Sequence, residues 1–456
     1  MDVSRFVSNA LDVQRSCSCW QLMRKLFTLP VVLLAFSLAM QAQHDPGVRG
    51  GLAGAGKPIG GLTAGESDFF LNHGVPQFTQ VEAVADGLGP RFNLDSCGGC
   101  HIQPAVGGSS PLTNNPQVVR APIMAPGNTI PTFLSLNGPV REARFVRNPD
   151  GTPDGGVHDL FTIAGRADKP AGCAIQQPDF QHELNNHNII FRIPTPTFGA
   201  GLIEAITDTT IRRNLASDPF GQKALFGIKG HVNTNGNDGT VTRFGWKAQN
   251  KSLLIFAGEA YNVEMGVTNE NFQNEREEDP KCATNGTPES HSGFNVGSTD
   301  PADIVSFMGF MKFLDQPAPA CKGNACADSI QNGHLLFNLI ACAACHTETL
   351  TTGLSSTAAL NQKAANLFSD LAVHHMGTGL ADGVPQGAAG PDEFRTAPLW
   401  GVGQRAFFLH DGRTSDLLQA ILAHDSSGSE AALATEIFEA LPASQKQDIL
   451  NFLRSL

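Results

Sequence analysis

Cys97-Gly98-Gly99-Cys100-His101 and Cys342-Ala343-Ala344-Cys345-His346 are two copies of one pattern, Cys-x-x-Cys-His, in a chain of 456 residues. The spacing has a chemical reason. Two thiols three positions apart reach the two vinyl groups of a single porphyrin, and the histidine that follows lies under the iron as proximal ligand. A thioredoxin-like dithiol needs no histidine at the fifth position, and half a zinc site needs further ligands nearby, which neither copy has. The pattern therefore predicts two covalently bound haem c groups, on Cys97, Cys100 and His101 and on Cys342, Cys345 and His346.

Such haem attachment belongs outside the cytoplasm, and the N-terminus agrees. Arg24 and Lys25 precede an apolar run from Leu26 to Ala39, small residues follow at Ala39 and Ala42, and the chain turns polar at Gln43-His44-Asp45-Pro46. That is the order of a secretory signal, and the run is short for a transmembrane helix. Residues 1–42 read as a signal peptide, with Met23 as an alternative start that would remove Cys17 and Cys19. The mature chain is expected to be periplasmic or secreted, with no stable membrane span. Four cysteines remain: Cys173, Cys282, Cys321 and Cys326. They are even in number in an oxidising compartment, and four cysteines permit three pairings. Cys321 and Cys326 are close enough to pair across a short loop, which leaves Cys173 with Cys282.

The net charge is -12 without a basic cluster, which excludes nucleic acid as a natural partner. The apolar fraction of 41% supports real cores, while 48 Gly and 28 Pro predict many turns. At this length two domains are expected: an N-terminal haem domain over 43–320 with a large insertion, and a C-terminal haem domain over 321–456. An internal similarity supports the division. Phe191-Arg192 is followed by Pro196-Thr197-Phe198-Gly199-Ala200-Gly201, and Phe394-Arg395 by Pro398-Leu399-Trp400-Gly401-Val402-Gly403. Arg192 and Arg395 are candidates to pair with haem propionates, since guanidinium matches carboxylate geometry. Apolar spacing predicts a helix over 328–340 leading into the second motif, and a C-terminal helix with Ile449, Leu450, Leu453 and Leu456 on one face behind a Ser444/Gln447 capping box. The polar stretch from about 205 to 320 reads as loops and short elements.

The sixth ligand of each iron decides between electron transfer and reaction with an oxidant. For the second haem, Leu417, Ile421 and His424 share one helical face, so His424 is the candidate, with Met376 as rival; His410 sits at a turn and is read as structural. For the first haem, His158, His182, His187 and Met265 are weak candidates. That iron is therefore expected to be open, with Glu204 as a distal acid–base group.

These stretches resemble the bacterial di-haem cytochrome c peroxidase and MauG superfamily, in particular its di-haem oxidoreductase (peroxidase-like, or thiol oxidoreductase) branch. The similar segments include Gly87 to His101, Gly155 to His158, Phe191 to Ile206, Phe244 to Gln249, the second motif, and Phe394 to Arg413. The resemblance implies a mainly α fold of two cytochrome c-like domains, with long irregular loops and an enlarged N-terminal half. It also implies a calcium ion between the domains, a redox partner protein as donor, and reduction of hydrogen peroxide at the N-terminal haem with electrons received at the C-terminal one. In the peroxidases a Met ligand falls after the segment resembling His410-Asp411-Gly412; here His424 stands there. MauG-type enzymes use a tyrosine ligand, and the sole tyrosine, Tyr261, is far from that segment in sequence. The thiol oxidoreductase label finds no residues, because haem consumes both Cys-x-x-Cys pairs. The alternative reading is a di-haem electron carrier with both irons six-coordinate; a further one is oxidation of a protein or a small organic partner.

Overall fold

Ser96 sets the geometry of the first motif. Its hydroxyl accepts the Gly99 amide at 3.1 Å, so Cys97–Cys100 close into one helical turn, α1. The helices that matter for the sites follow in order: α2 (Ala200–Ala205), α3 (Leu253–Met265), α4 (Asp303–Phe313), α5 (Asp328–Leu339), α6 (Leu417–Leu422), α7 (Ala432–Ala440) and α8 (Ala443–Ser455). The computed structural model describes residues 43–50, 54–276, 279–293 and 301–456. The expected signal segment, with Met23, Cys17 and Cys19, lies outside these residues. Among the described residues, no helix is long and apolar enough to cross a membrane.

Strands are short and antiparallel: β1 (Arg91–Phe92), β2 (Glu142–Phe145), β3 (Val157–His158), β4 (Phe161–Thr162), β5 (Ile189–Arg192), β6 (Leu350–Thr351), β7 (Ala364–Ala365), β8 (Val373–His375) and β9 (Glu393–Arg395). They form a three-stranded sheet β3-β2-β5 and the pairs β1-β4, β6-β7 and β8-β9. With the long irregular connections between them, these make the fold mixed. The mainly α expectation holds only in part, because the many Gly and Pro residues break the chain into short pieces.

Two further expectations are corrected. The 205–320 stretch carries the long helices α3 and α4. Both escape periodicity because they are apolar nearly all round: in α4, nine residues from Asp303 to Phe313 are buried. The C-terminal helix begins at Ala443 after Pro442, without a side-chain cap. Ser444 is thus inside the helix, where it cannot form the capping box. The predicted apolar face is buried as expected, with Leu450 fully so.

The repeated segments fold alike. β5 ends on Arg192 and β9 on Arg395, and Gly199 and Gly401 then both take left-handed backbone, with φ of 64° and 70°. Two residues on, each repeat meets a helix backbone. A Cβ on Gly201 would lie 2.0 Å from the Lys312 carbonyl of α4, and one on Gly403 would lie 2.1 Å from the Arg454 carbonyl of α8. Only glycine allows either approach. The four non-motif cysteines form the disulfides Cys173–Cys282 and Cys321–Cys326.

A buried ionic clamp ties segments distant in sequence. Asp382 accepts from Arg192 at 2.7 Å and from Lys247 Nζ at 3.1 Å. Lys247 also donates to the carbonyls of Gly390 at 2.8 Å and Glu393 at 2.9 Å, and sits 4.1 Å from the Phe394 ring centre. Burial pushes its ammonium down to about 8, against the pull of Asp382. Removing the shared carboxylate leaves two cations buried without it. Asp382→Ala should therefore cost about 3–5 kcal/mol, read as a lower denaturant midpoint; an unchanged midpoint would show that the clamp contributes nothing.

Candidate redox centres

Cys97, Cys100 and His101 line a cavity of about 1200 Å³, its mouth included. The His101 Nδ1 lies 3.0 Å from the Gly108 carbonyl. A carbonyl only accepts, so Nδ1 carries the proton and Nε2 keeps its lone pair. Burial pushes the imidazole down to about 4, so it is neutral at pH 7. Both thiols are free, and burial raises them, Cys97 to about 12. A redox dithiol needs the opposite shift, toward thiolate.

Among the apolar walls of this cavity stand several polar side chains. β2 supplies Glu142 and Arg144, and α3 supplies Glu259, Tyr261, Glu264 and Met265. Burial works against ionisation of Glu142, but Arg144, 2.7 Å away, holds it at about 2. Glu264 goes the other way: burial, and then the charge of Glu142, raise it well above the carboxylate range. The pair therefore holds one proton, on Glu264, hydrogen-bonded to ionised Glu142. Asn93 Nδ2 donates to Glu264 Oε2 at 2.8 Å, which fixes the acid in place.

Cys342, Cys345 and His346 line a second cavity of about 1540 Å³. Its walls are largely apolar and include Phe337, Phe394, Val402, Phe408, Phe438 and Leu453. The His346 Nδ1 is tied to the Phe368 carbonyl at 3.0 Å, and burial pushes the ring down to about 4. His424, just beyond α6, lines the same cavity with its Nδ1 on the Ala420 carbonyl at 2.7 Å. Its ring too is pushed down by burial, and its charge is felt at His346. The cavity thus holds two neutral imidazoles, each with Nε2 free. Met376 also lines it. His374 has both nitrogens engaged, by Asp370 at 3.0 Å and Glu430 at 2.8 Å. His410 stacks on Phe394 at 4.2 Å.

The residues fit two porphyrins. Each motif offers two free thiols and an imidazole with an available Nε2 beside a cavity. Arg395 and Arg405 line the second cavity and are buried; they donate to the carbonyls of Gly245 at 3.0 Å and Pro398 at 2.8 Å. Neither has an ion pair with a carboxylate among the described residues. Burial pushes both down to about 10, and Arg405 adds to the shift of Arg395. Two such guanidinium groups call for an anion, and haem propionates are anions of the right kind. Trp246 lines both cavities and the space between them, with Nε1–H on the Ile193 carbonyl at 2.9 Å. Among the described residues no cluster of three or more His, Cys, Asp or Glu side chains is placed to hold a bare metal ion.

Other expected residues fall elsewhere. Glu204 lines neither cavity: its Oε1 accepts the Leu253 amide at 2.8 Å and caps α3. The distal acid expected of it is therefore misplaced, because α3 was not foreseen. Arg192 lines the first cavity, but Asp382 and Gln386 occupy it. His158 and His182 line a separate polar cleft, and His187 sits in a turn with φ of 54°. Met265 does line the first cavity, as does Met311. Glu142, Glu264, Arg405 and Trp246 were missed. Glu142 and Arg144 do carry a signal, since alternation along a strand puts both on one face.

A family model described as "Di-haem oxidoreductase, putative peroxidase" matches residues 144–456. The chain belongs to this family. The match begins within β2 of this di-haem oxidoreductase and includes the second motif, while the first motif precedes it. Among solved structures, a chain of hydrazine synthase from Kuenenia stuttgartiensis is similar at 13% identity and a TM-score of 0.26, over 44% of this chain and 60% of that one. A MauG-like protein associated with microbial copper homeostasis is similar at 16% identity and a TM-score of 0.31, over 58% of this chain and 90% of that one. The chain thus spans less than two thirds of the hydrazine synthase chain. Among curated proteins none matches.

Next to the second cavity of this di-haem oxidoreductase, Glu430 also carries a pH dependence. Burial opposes its ionisation, but His374 and the amides of Lys229 and Gly230 hold it at about 2. Its folded value is below the ordinary one, so its stabilisation is present above about pH 4.5 and is lost as pH falls through about 2. Acid titration should show this loss in the wild type, and Glu430→Gln should flatten it. Identical acid profiles would remove Glu430 from the account.

Proposed function

We propose that this di-haem oxidoreductase is an exported enzyme that takes electrons from a redox partner protein at a haem on Cys342, Cys345 and His346. They pass to a haem on Cys97, Cys100 and His101, where hydrogen peroxide is reduced to water. The contrast between the cavities carries the reading. One is apolar and offers a second neutral imidazole; the other offers a buried carboxylic acid beside a carboxylate and, among the described residues, no imidazole but His101.

When bound, haem supplies one-electron chemistry at iron, and an iron with a free position binds small oxidants. The chain's own residues divide the rest. Thiols of the two motifs hold the porphyrins, and Arg395 and Arg405 neutralise propionates at the second site. His424 would offer an iron there a second imidazole, ahead of the Met376 thioether. Imidazole in place of thioether favours a lower potential, suited to passing electrons on. In the first cavity Glu264 is the proton donor: reduction of H2O2 to two waters consumes two electrons and two protons, and a neutral acid at the oxygen that leaves lowers that barrier. Arg144 holds the charge on Glu142, which keeps the proton on Glu264. Trp246 is the shared wall through which the sites are coupled. The matched backbones after β5 and β9 support two cytochrome c-like domains, 43–320 and 321–456, and the N-terminal charge pattern supports export to the periplasm. Met265 and Met311 in the first cavity favour the second reading, a carrier whose N-terminal iron is closed by a thioether.

Glu264→Gln should lower the rate of peroxide reduction about 10²- to 10⁴-fold with haem absorption unchanged. A normal rate in the variant would remove Glu264 as the proton donor, and a wild type that leaves peroxide untouched would favour the carrier. His424→Met should raise the reduction potential of one haem and leave the other where it was; two unaltered potentials would dismiss His424 as a ligand.

A further inference from the structure

Tyr261 is the single tyrosine of the chain, and the reading above gives it no task. It is 2% exposed, on α3, and lines the first cavity together with Cys97, Cys100 and His101. Its hydroxyl donates to Glu82 Oε1 at 3.0 Å. Glu82 is also 2% exposed and is held from two sides: its amide donates to the Asp95 carbonyl at 2.8 Å, and Gln80 donates to its Oε2 at 3.2 Å. Cys97 is close to both groups: the charge of Glu82 acts on its thiol, and its own charge acts on Tyr261. The Phe307 ring meets the phenol edge-on at 4.9 Å and helps seal the pair from water.

A phenol buried beside an oxidising centre gives up an electron easily only if its proton leaves at the same time, since a phenol radical cation in a dry site is a poorly solvated charge. The Tyr261–Glu82 contact provides that route. We propose that Tyr261 is a redox-active side chain that donates one electron to the N-terminal site while its phenolic proton passes to Glu82. The inference rests on peroxide reduction at that site. In the balance, H2O2 takes up two protons and two electrons and yields two waters; one electron comes from haem iron and the other from Tyr261. Tyr–OH and Glu82 carboxylate become the neutral tyrosyl radical and Glu82 carboxylic acid. Two later electrons from the redox partner close the cycle, one restoring the iron and one the phenolate, and Glu82 returns the proton. Burial raises the Glu82 carboxyl to about 7, which makes it a better base than an exposed carboxylate. This device would let the enzyme complete a turnover when the second haem has no electron to give.

The test uses the full-length, doubly haem-loaded protein, oxidised and free of donor, mixed with hydrogen peroxide and frozen for electron paramagnetic resonance. The expected result is an organic radical whose hyperfine pattern narrows when the protein is grown on ring-deuterated tyrosine. With one tyrosine in the chain, such a signal is assigned without further mutation. Tyr261→Phe should abolish it, and Glu82→Gln, which cannot take the proton, should remove most of it, with haem absorption unaltered in both. If peroxide is consumed but no radical forms, or the radical is insensitive to deuterated tyrosine and survives in Tyr261→Phe, the inference is overturned and peroxide reduction stands. If peroxide is neither consumed nor changes the haem spectra, the peroxide reading itself fails and takes the inference with it.

Discussion

Three imidazoles are held in one way, and both centres depend on it. His101, His346 and His424 each place Nδ1 on a backbone carbonyl, of Gly108, Phe368 and Ala420. The contact settles three things together. It fixes the tautomer, because the carbonyl can only accept; it leaves Nε2 as the free nitrogen; and it orients the ring. Burial then keeps each imidazole neutral, as an iron ligand must be. His374, a few residues from this set in space, shows the contrast. Carboxylates occupy both its nitrogens, so it joins a charge network and has nothing left for a metal.

Around this shared frame the electrostatics differ. In the first cavity, Arg144 beside Glu142 settles which of two buried carboxyls is ionised, and its neighbour keeps the proton. A low-dielectric site with an acid and an anion side by side can move protons. The second cavity has apolar walls and two arginines without a carboxylate partner among the described residues, an arrangement suited to holding an anionic cofactor. The two cavities thus differ through what burial does to charged groups, while the two motifs themselves are nearly identical.

Much of the local structure could be read in advance. The helix leading into the second motif, the apolar face of the last helix, the Cys321–Cys326 disulfide and the similarity of the segments after Phe191 and Phe394 all have a short-range origin: periodicity, spacing, or a glycine that must let a helix backbone approach. Helices α3 and α4 could not be read this way. α4 is buried nearly all round and has no polar face, and α3 keeps apolar residues such as Ile255 on its exposed side, so neither sequence shows the 3.6-residue rhythm that marks a surface helix. Missing α3 also hid the buried carboxyl pair, since Glu264 lies on α3 while Glu204 only caps it.

The sequence by itself determined where the two Cys-x-x-Cys-His patterns fall, because each is local and its spacing suits a porphyrin whatever surrounds it. Tertiary structure alone decided which groups face each cavity and in what protonation state. Glu142 and Glu264 stand far apart along the chain, as do Tyr261 and Glu82, and Arg192 and Asp382. A residue's charge in a buried site is set by neighbours that arrive from distant segments, and no reading of adjacent residues contains them.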